Sequence, residues 1–256
     1  MGGMEGYIMS NWFARCAVAF LAAGLAGPAL TDANLVMNGG FETTTMSSPQ
    51  QMNTTNVAGW STTGYNFIFF KGTADTTGSY TPQFNGNLTL RGPNNGGEGA
   101  LPAESPTKDN FVAADGAFET AAITQDVKGL AAGTNYLLTF WWAGAQQSGF
   151  QGDTTESWSV SLGSQSYTTP TVSTPSRGFS PWRQASVLFS ATAATETLSF
   201  LAGGSPSDGQ PPFSLLDGVS LVAAPEPAAW AVMVAGLVGT AAFTSRRRRT
   251  RRTAMA

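Results

Sequence analysis

Side chains capable of nucleophilic or acid–base chemistry are scarce in this chain, which has no histidine and a single cysteine, Cys16. These absences exclude a Ser-His-Asp triad, a Cys-His nucleophile, zinc held by His or Cys, and iron–sulfur clusters. The enzymatic chemistry that remains is glycoside hydrolysis by two carboxylates about 5 to 9.5 Å apart. The candidate acids, which we predict to lie in loops, are Glu98, Glu104, Asp115 and Glu156. Since nothing in the sequence pairs any two of them, we expect a non-catalytic protein.

The adjacent tryptophans Trp141 and Trp142 form a second group of interest. Neighbouring residues of a strand face opposite sides of a sheet, so the two indoles cannot share one core layer. One of them is then free to stack on a sugar ring, and Gln146 and Gln147, just downstream, could hydrogen-bond the sugar hydroxyls. The alternative is that the second sheet or a loop covers the indole and that the glutamines are ordinary surface residues.

The carboxylate of Asp217, in the last predicted strand, forms a third group. Under regular alternation Asp217 has the parity of Val219 and Leu221, which places it on the core side. An unpaired carboxylate is costly there, so Asp217 requires a cation, backbone N–H donors or solvent at a rim. We expect this strand to meet residues 34–42, from the start of the body.

Segments of period two dominate the region that must position these groups. Trp158, Val160 and Leu162 alternate with serines, as in a half-buried strand. Further strands are predicted at residues 65–71, 88–91, 121–127, 135–143, 183–190, 197–202 and 215–222. Many short strands without a helix-period segment predict an all-β fold, an antiparallel jelly-roll β-sandwich. Residues 72–105, rich in Gly, Asn, Thr and Pro, are predicted to form long loops that cover one rim.

The first 33 residues have the pattern of a secretory signal peptide. Arg15 precedes an apolar stretch at residues 16–26, the predicted signal helix, which is too short to span a bilayer. Cleavage is predicted after Ala29 or Ala33, following delivery to a secretion translocon. Removal of the signal would leave a body without cysteine and therefore without disulfides.

The C-terminal segment combines a proline-flanked acid, an apolar run and a basic cluster. Pro225-Glu226-Pro227 precedes the 17 uncharged residues 228–244, and these are followed by Arg246, Arg247, Arg248 and Arg249. At about 1.5 Å per residue the run spans roughly 25 Å, the lower limit for a transmembrane helix. The positive-inside rule keeps the arginines cytoplasmic and places the preceding body outside. We therefore interpret the arginines as a membrane-surface group rather than a nucleic-acid site.

This three-part end resembles the PEP-CTERM sorting signal, in the subtype that reads PEPAAWA here and includes Trp230. The resemblance implies recognition, and cleavage near the motif, by an exosortase-type processing enzyme. It also implies an inner-membrane intermediate held by the C-terminal helix, followed by delivery to the cell surface or to the exopolysaccharide matrix of a biofilm. Pro225, Glu226 and Pro227 are then the residues that the processing enzyme recognises.

The body resembles galactose-binding-like jelly rolls, including carbohydrate-binding modules and DUF642-type surface proteins. The similarity lies in NGGFE at residues 38–42 and in DGVSL at residues 217–221. In such modules a structural calcium often ties the first strand to the last, which implies Glu42 and Asp217 as its carboxylate ligands. A hydrogen-bonded carboxylate pair without metal, or Asp217 capping a turn, are the alternatives.

These features divide the chain into a signal peptide (1–33), a β-sandwich ectodomain (34–222) and a C-terminal sorting segment (223–256). The ectodomain has thirteen acidic and six basic residues, so we expect no nucleic-acid partner. The predicted function is that of an exported cell-surface or matrix protein with a non-catalytic, adhesive sandwich. A lectin-like carbohydrate-binding module is the alternative, and a glycoside hydrolase is a third hypothesis.

Overall fold

The computed structural model describes residues 33–98 and 104–224, which belong to one compact unit. The predicted signal helix, the sorting motif, the C-terminal apolar run and the arginine cluster lie outside these residues. In the two described ranges, no helix has the length and apolar character needed to cross a membrane.

Strands are the dominant regular elements of the described residues, with two short 3₁₀ turns at Pro82–Phe84 and Pro93–Asn95. The strands are β1 (Asn66–Phe69), β2 (Ser79–Thr81), β3 (Gly86–Leu88), β4 (Phe111–Asp115), β5 (Ile123–Lys128), β6 (Asn135–Gln146), β7 (Thr154–Leu162), β8 (Gln165–Thr168), β9 (Val172–Thr174), β10 (Ser180–Ser190), β11 (Thr195–Ser205) and β12 (Pro212–Ala223). The predicted all-β class is therefore confirmed for this part of the chain.

Two antiparallel sheets make the sandwich. The first has the strand order β1-β4-β12-β6-β10, and the second has the order β5-β11-β7-β8, with β9 also paired to β7. A small ribbon of β2 and β3 lies apart from them. From β4 onward the chain crosses repeatedly between the two sheets, so that β12, the last strand, lies between β4 and β6. This is the double-sheet arrangement of a jelly roll.

The core between the sheets is built from the inward positions of alternating residues. The apolar residues of β7 all lie in it, as their period-two spacing predicts. Phe200 of β11 contacts two further rings there, with its centroid 5.2 Å from Phe140 and 6.0 Å from Trp158, both edge to face. Trp158 Nε1–H donates to the Leu215 carbonyl of the first sheet at 3.0 Å, so the polar atom of the buried indole is satisfied.

A second apolar layer covers the outer face of the first sheet. Outward side chains of β1, β4 and β12 pack there against the segment that follows β1, in a cluster that includes Phe67, Phe69, Phe111, Phe213, Leu215, Ala74, Leu88 and Leu90. All five residues of β4 are consequently buried. The described part of residues 72–105 therefore covers a sheet face, where we predicted a rim, because this sheet offers apolar side chains on both of its sides.

A β-bulge in β12 changes the side to which Asp217 points. Between Asp217 and Ser220 the register of β12 against β6 shifts by one residue. Gly218 has a left-handed backbone there (φ 58°), a conformation that favours glycine. Leu216 and Val219 both lie in the inter-sheet core, so Asp217 points to the outer side. The predicted core-side position of Asp217 was wrong, because regular alternation does not continue through a bulge.

Candidate functional site

A cleft of about 400 Å³ opens where β4 and β6 end and β12 begins. Segments distant in sequence form its walls, at residues 84–88, 115–118, 147–150 and 206–212. Three phenylalanines are exposed around it: Phe84 by 61%, and Phe118 and Phe150 by 41% each. A concave site with exposed aromatic rings and a few polar groups is typical of a ligand-binding site. The cleft is therefore the strongest candidate site in the described residues.

Tyr65 supports two of these rings. Its ring centroid lies 6.0 Å from that of Phe84 and 5.2 Å from that of Phe118, in both cases nearly perpendicular. The Tyr65 hydroxyl donates to Thr81 Oγ1 at 3.4 Å, and burial raises the pKa of this hydroxyl. Edge-to-face packing therefore holds the aromatic surface in place before a ligand arrives.

Asp115, the last residue of β4, positions Phe118. Its Oδ1 accepts the backbone N–H groups of Ala117 and Phe118 at 2.9 and 3.0 Å, as in an Asx turn. The side chain is nearly fully buried, and this burial raises the pKa of the carboxyl group. Asp115 thus lies at a strand end rather than in the predicted loop, and it lines the cleft with acceptor capacity to spare.

Gln210 forms part of the wall and carries a buried acceptor without a partner. Its Nε2 group donates to the carbonyl oxygens of Gln147 and Pro211 at 3.2 and 3.3 Å, which fixes the nitrogen toward these two acceptors. The residue is 2% exposed, and no donor among the described residues reaches Oε1. A buried acceptor without a donor costs about 1–3 kcal/mol. A ligand donor would remove this cost, so Gln210 is a candidate ligand-binding residue that the sequence did not indicate.

Of the four residues predicted to bind a glycan, Gln147 is the one that lines the cleft. Trp142 is 2% exposed and belongs to the inter-sheet core, with the Arg183 guanidinium 5.2 Å from its ring centroid. Trp141 is the more exposed indole of the pair, as expected for adjacent strand residues that face opposite sides of the sheet. It lies beside Gly218, however, and outside the cleft. The assignment of Trp142 to a glycan site was wrong, since its ring is buried in the inter-sheet core.

Gln146 is fully buried and cannot bind a glycan as predicted. Its Nε2 donates to the Gly152 carbonyl at 2.9 Å and to Thr154 Oγ1 at 3.0 Å, and its Oε1 accepts the Arg177 N–H at 2.6 Å. These bonds use the amide to anchor residues 147–152, the segment that carries Phe150. Gln146 is therefore a positioning residue of the cleft, because it holds the loop from beneath.

The two ends of the body meet, as the sequence predicts. Leu35 N–H donates to the Leu221 carbonyl and Val219 N–H donates to the Gly39 carbonyl, both at 2.9 Å. Asn34 Oδ1 accepts the Leu221 N–H, also at 2.9 Å. These bonds bring the NGGFE segment against the DGVSL strand.

Glu42 and Asp217 are linked through residues 105–110, which the sequence did not single out. The Thr107 hydroxyl donates to Asp217 Oδ2, and the Asn110 N–H donates to Glu42 Oε1. Asp217 Oδ1 also accepts the N–H of Gly218 at 2.6 Å. Each carboxylate therefore accepts from its own donors, with no hydrogen bond between Glu42 and Asp217 among the described residues, and each carboxylate oxygen has capacity for a further partner.

Asp109 adds a third carboxylate beside Asp217. A Cβ on Gly40 would lie 3.6 Å from Asp109 Oδ2 and 3.9 Å from Asp217 Oδ1. Burial raises the pKa of Asp217 to about 6, and the charge of Asp109 acts in the same direction. No lysine or arginine of the described residues forms an ion pair with either group. Two close carboxylates without a basic partner are the chemistry that a hard cation suits.

The ligand atoms available here are of the type that calcium binds, since every candidate atom is an oxygen. Glu42 and Asp217, the ligands that the resemblance implies, are the side chains that would hold the ion. Within residues 33–98 and 104–224, however, no group of three or more His, Cys, Asp or Glu is arranged to hold a metal. Backbone carbonyls would therefore have to supply several of the ligands.

The structure brings one of the four candidate acids, Asp115, into the cleft. Glu98 and Glu104 form ion pairs with partly exposed basic side chains at the surface. Glu156 lies within β7 rather than in the predicted loop, and its side chain is fully buried. Asp208, which we did not predict, is the second carboxylate that lines the cleft.

The sequence matches no protein-family model and no curated protein. Among solved structures, the chain is similar to TmCBM61 in complex with β-1,4-galactotriose, with 15% identity and a TM-score of 0.42 over 75% of this chain and 99% of that chain. It is also similar to the K1 cleaved adhesin domain of Lys-gingipain from Porphyromonas gingivalis W83, with 15% identity and a TM-score of 0.39 over 73% and 96% of the two chains. A CBM4 structure matches with 13% identity and a TM-score of 0.34 over 74% and 99%. Similarities this distant assign no ligand to this chain.

Proposed function

We propose that the sandwich is a non-catalytic carbohydrate-binding module whose ligand lies in the cleft. The observation that carries the proposal is the grouping of Phe84, Phe118 and Phe150, all exposed, around one concave site. The C–H face of a pyranose is apolar and packs on an aromatic ring, whereas its hydroxyl groups require hydrogen-bond partners at the ring edge. A cleft that offers both kinds of surface suits a sugar better than it suits a wholly apolar ligand.

Polar groups for the hydroxyls come from three sides of the cleft. Asn87 and Gln147 offer amide donors and acceptors, and Asp115 offers a carboxylate. Gln210 supplies the buried acceptor without a partner. A cleft of about 400 Å³ is at the small end of the range for ligand sites, which suits a short stretch of sugar units rather than a long chain.

The hydrogen bonds and the burial of the candidate acids support a binding role rather than catalysis. Asp115 Oδ1 is committed to two backbone N–H groups, which ties the carboxylate to the turn that positions Phe118. Glu156, the most deeply buried of the candidate acids, is enclosed within the sandwich. A hydrolase requires one acid and one base or nucleophile facing the same glycosidic bond. Asp208 is the other carboxylate that lines the cleft, and it is exposed, so it lacks the enclosed environment that keeps a catalytic acid protonated.

Export and sorting form the second part of the proposal. It is supported by the signal-like residues 1–33 and by the PEPAAWA motif, apolar run and arginines at the other end. In this proposal an exosortase-type enzyme processes the chain, and the glycan-binding body then holds it at the cell surface or in exopolysaccharide. Replacing Pro225-Glu226-Pro227 by alanines should leave unprocessed protein in the inner membrane, detected by fractionation and mass spectrometry. A variant processed and surface-exposed like the parent would contradict the sorting proposal.

Glycan binding is tested by titrating the full chain, purified in detergent, with neutral oligosaccharides of different linkage. We expect saturable binding, weakened about two- to tenfold by Phe118→Ala or Phe150→Ala, since an aromatic contact contributes about 0.5–1.5 kcal/mol. Leu188→Ala is the matched control, because Leu188 is 57% exposed on β10 and lies outside the cleft. Equal affinity of the Phe118→Ala variant and the parent would reject the cleft as the binding site.

A further inference from the structure

The cleft is negatively charged, and no basic residue of the described ranges lines it. Asp115 and Asp208 are the charged residues that line it. Glu119 is close by, since its Oε1 accepts from Gln83 Nε2 at 3.0 Å, next to Phe84. Arg91 donates to the Phe150 carbonyl at 2.9 Å but does not line the cleft. A ligand in the cleft therefore meets carboxylates without a compensating cation.

These carboxylates act on the cleft interior. Burial is the main reason that the pKa of the Tyr65 hydroxyl is raised, and the negative charges of Asp115 and Glu119 raise it further. Tyr65 lies beneath the rings of Phe84 and Phe118, so the same field acts on a ligand seated against them. Within a partly buried site this field is screened by salt less than it is at an open surface.

The uncharged groups of the cleft also favour a ligand rich in hydrogen-bond donors. Gln210 Oε1 is buried and has no hydrogen-bond partner in the described part of the chain, and the Gln210 amide nitrogen is already committed to two carbonyls. The exposed faces of Phe84, Phe118 and Phe150 attract cations through their π electrons, by about 0.5–1 kcal/mol or more. An ammonium group offers three N–H donors and a positive charge together. It can therefore donate to the unpartnered acceptor, and its charge is attracted by the aromatic faces and by the carboxylates.

We infer that the ligand of the cleft is a glycan with free amino groups, that is, one containing protonated amino sugars, and that glycans rich in uronic acid are excluded. The inference rests on the proposed carbohydrate binding and names the class of sugar. The ammonium pairs with Asp208 at the exposed rim or with Asp115 at the deeper wall, while the aromatic rings hold the sugar face. A uronate would bring its own carboxylate against these two, which costs affinity through like-charge repulsion and desolvation.

The test compares three tetrasaccharides of equal length by calorimetric titration of the full chain in detergent. They are a glucosamine tetramer, its fully N-acetylated counterpart and a galacturonate tetramer, in a buffer just acidic enough to protonate the amines. We expect the glucosamine tetramer to bind about tenfold more tightly than the acetylated one, which corresponds to one charge-assisted contact. Added salt should reduce this difference, and the galacturonate tetramer should not bind.

Variants separate a specific contact from the general acidity of the chain. Asp208→Asn should weaken binding of the glucosamine tetramer about tenfold and binding of the acetylated tetramer by less, so that most of the preference for the amine is lost. Asp115→Asn provides a second variant at the deeper wall. Asp126→Asn is the control, because it removes the same charge from an exposed position on β5, outside the cleft. If neither Asp208→Asn nor Asp115→Asn weakens binding of the glucosamine tetramer more than Asp126→Asn does, the inference is overturned.

Failure of the inference is distinguishable from failure of the proposed function. If the acetylated or the galacturonate tetramer binds as tightly as the glucosamine tetramer, and Phe118→Ala weakens that binding, the amine preference is wrong while the cleft remains a glycan site. If no oligosaccharide binds with a dependence on Phe118, both proposals fall.

Discussion

Gly144 of β6 lies directly against the carboxyl group of Glu156 on β7. A Cβ on Gly144 would come within 2.3 Å of Glu156 Oε2, an oxygen that accepts the Thr174 hydroxyl at 2.6 Å. The other oxygen, Oε1, is buried and has no partner among the described residues. Glycine at position 144 is therefore what allows a full-sized acidic side chain inside the sandwich. Because this carboxyl group is enclosed, burial raises its pKa to about 7.

Stability should depend on pH through Glu156. Its pKa is about 7 in the folded chain against 4.5 as a free side chain, so between these values the folded state binds more protons than the unfolded state. The free energy of unfolding therefore falls by at most about 3 kcal/mol as pH rises from about 4.5 to about 7, and this contribution does not change further above pH 7. Denaturant unfolding across this range measures the slope. Glu156→Gln should remove the part of the fall between about pH 6 and 7 and reduce the rest, because the pKa of Asp217 is raised from 3.8 to about 6 and contributes a fall of similar size at lower pH, to which the raised pKa of Asp115 adds. An unchanged slope in Glu156→Gln would contradict the assignment.

A methyl group at position 144 should destabilise the sandwich. Gly144→Ala forces its Cβ against Glu156 Oε2 and against Thr174 Oγ1, which would lie 2.5 Å away. Overpacking of this kind costs about 1–3 kcal/mol, which lowers the midpoint of thermal unfolding. Gly86→Ala is the matched control, since the nearest atom to its Cβ would be 3.7 Å away. Equal melting temperatures for the two variants would show that the strands adjust to the added methyl group.

Gln146→Ala should affect both stability and binding. The substitution leaves the part-buried N–H of Arg177 and the buried oxygens of Thr154 and Thr174 without these hydrogen bonds, at a cost of about 1–3 kcal/mol in unfolding free energy. It also frees residues 147–152, so oligosaccharide affinity should fall although Gln146 touches no ligand. Gln184→Ala, at an exposed position on β10, is the comparison. If the Gln146→Ala variant is destabilised but binds the oligosaccharide as tightly as the parent does, Gln146 does not position the cleft.

Calcium, if it ties the first segment to the last strand, should raise the melting temperature. An ion held at one hundred times its Kd stabilises by about 2.7 kcal/mol, and the midpoint of a body of this size should rise by several degrees. EDTA should reverse the effect, and Asp217→Asn or Glu42→Gln should abolish it. The fluorescence of Trp141, which lies beside Gly218, provides a second reporter near the site. Identical melting curves of the parent chain in calcium and in EDTA would remove the ion from this site.

Local patterns predicted the long strands because alternation of apolar and polar residues is a property of neighbours. The predicted segments 135–143 and 183–190 correspond to β6 and β10, within three residues at each end. β4 was missed because all of its five residues are buried, so it shows a short apolar run in place of alternation. Glu156 was misplaced for a related reason: a carboxyl group is rare inside a sandwich, and room for it depends on Gly144, which is distant in sequence.

The candidate site was less accessible to sequence reasoning than the fold. Gln147 was predicted and lines the cleft, whereas Phe84, Phe118, Phe150 and Gln210 were not singled out. No spacing connects them, since each belongs to a different segment. Exposed phenylalanines in polar, Gly-rich surroundings were the signal that could have indicated them.

The sequence by itself determined that residues 34–222 contain no His or Cys side chain, that the body is made of strands, and that Trp141 and Trp142 face opposite ways. It also indicated that residues 34–42 meet the last strand. Only the tertiary structure decided which indole is covered, on which side of the bulge at Gly218 the Asp217 carboxylate lies, and which loops enclose the cleft. The reason is physical: strand periodicity depends on residues two apart, whereas burial and the walls of a site depend on pairings between segments that may be a hundred residues apart in the chain.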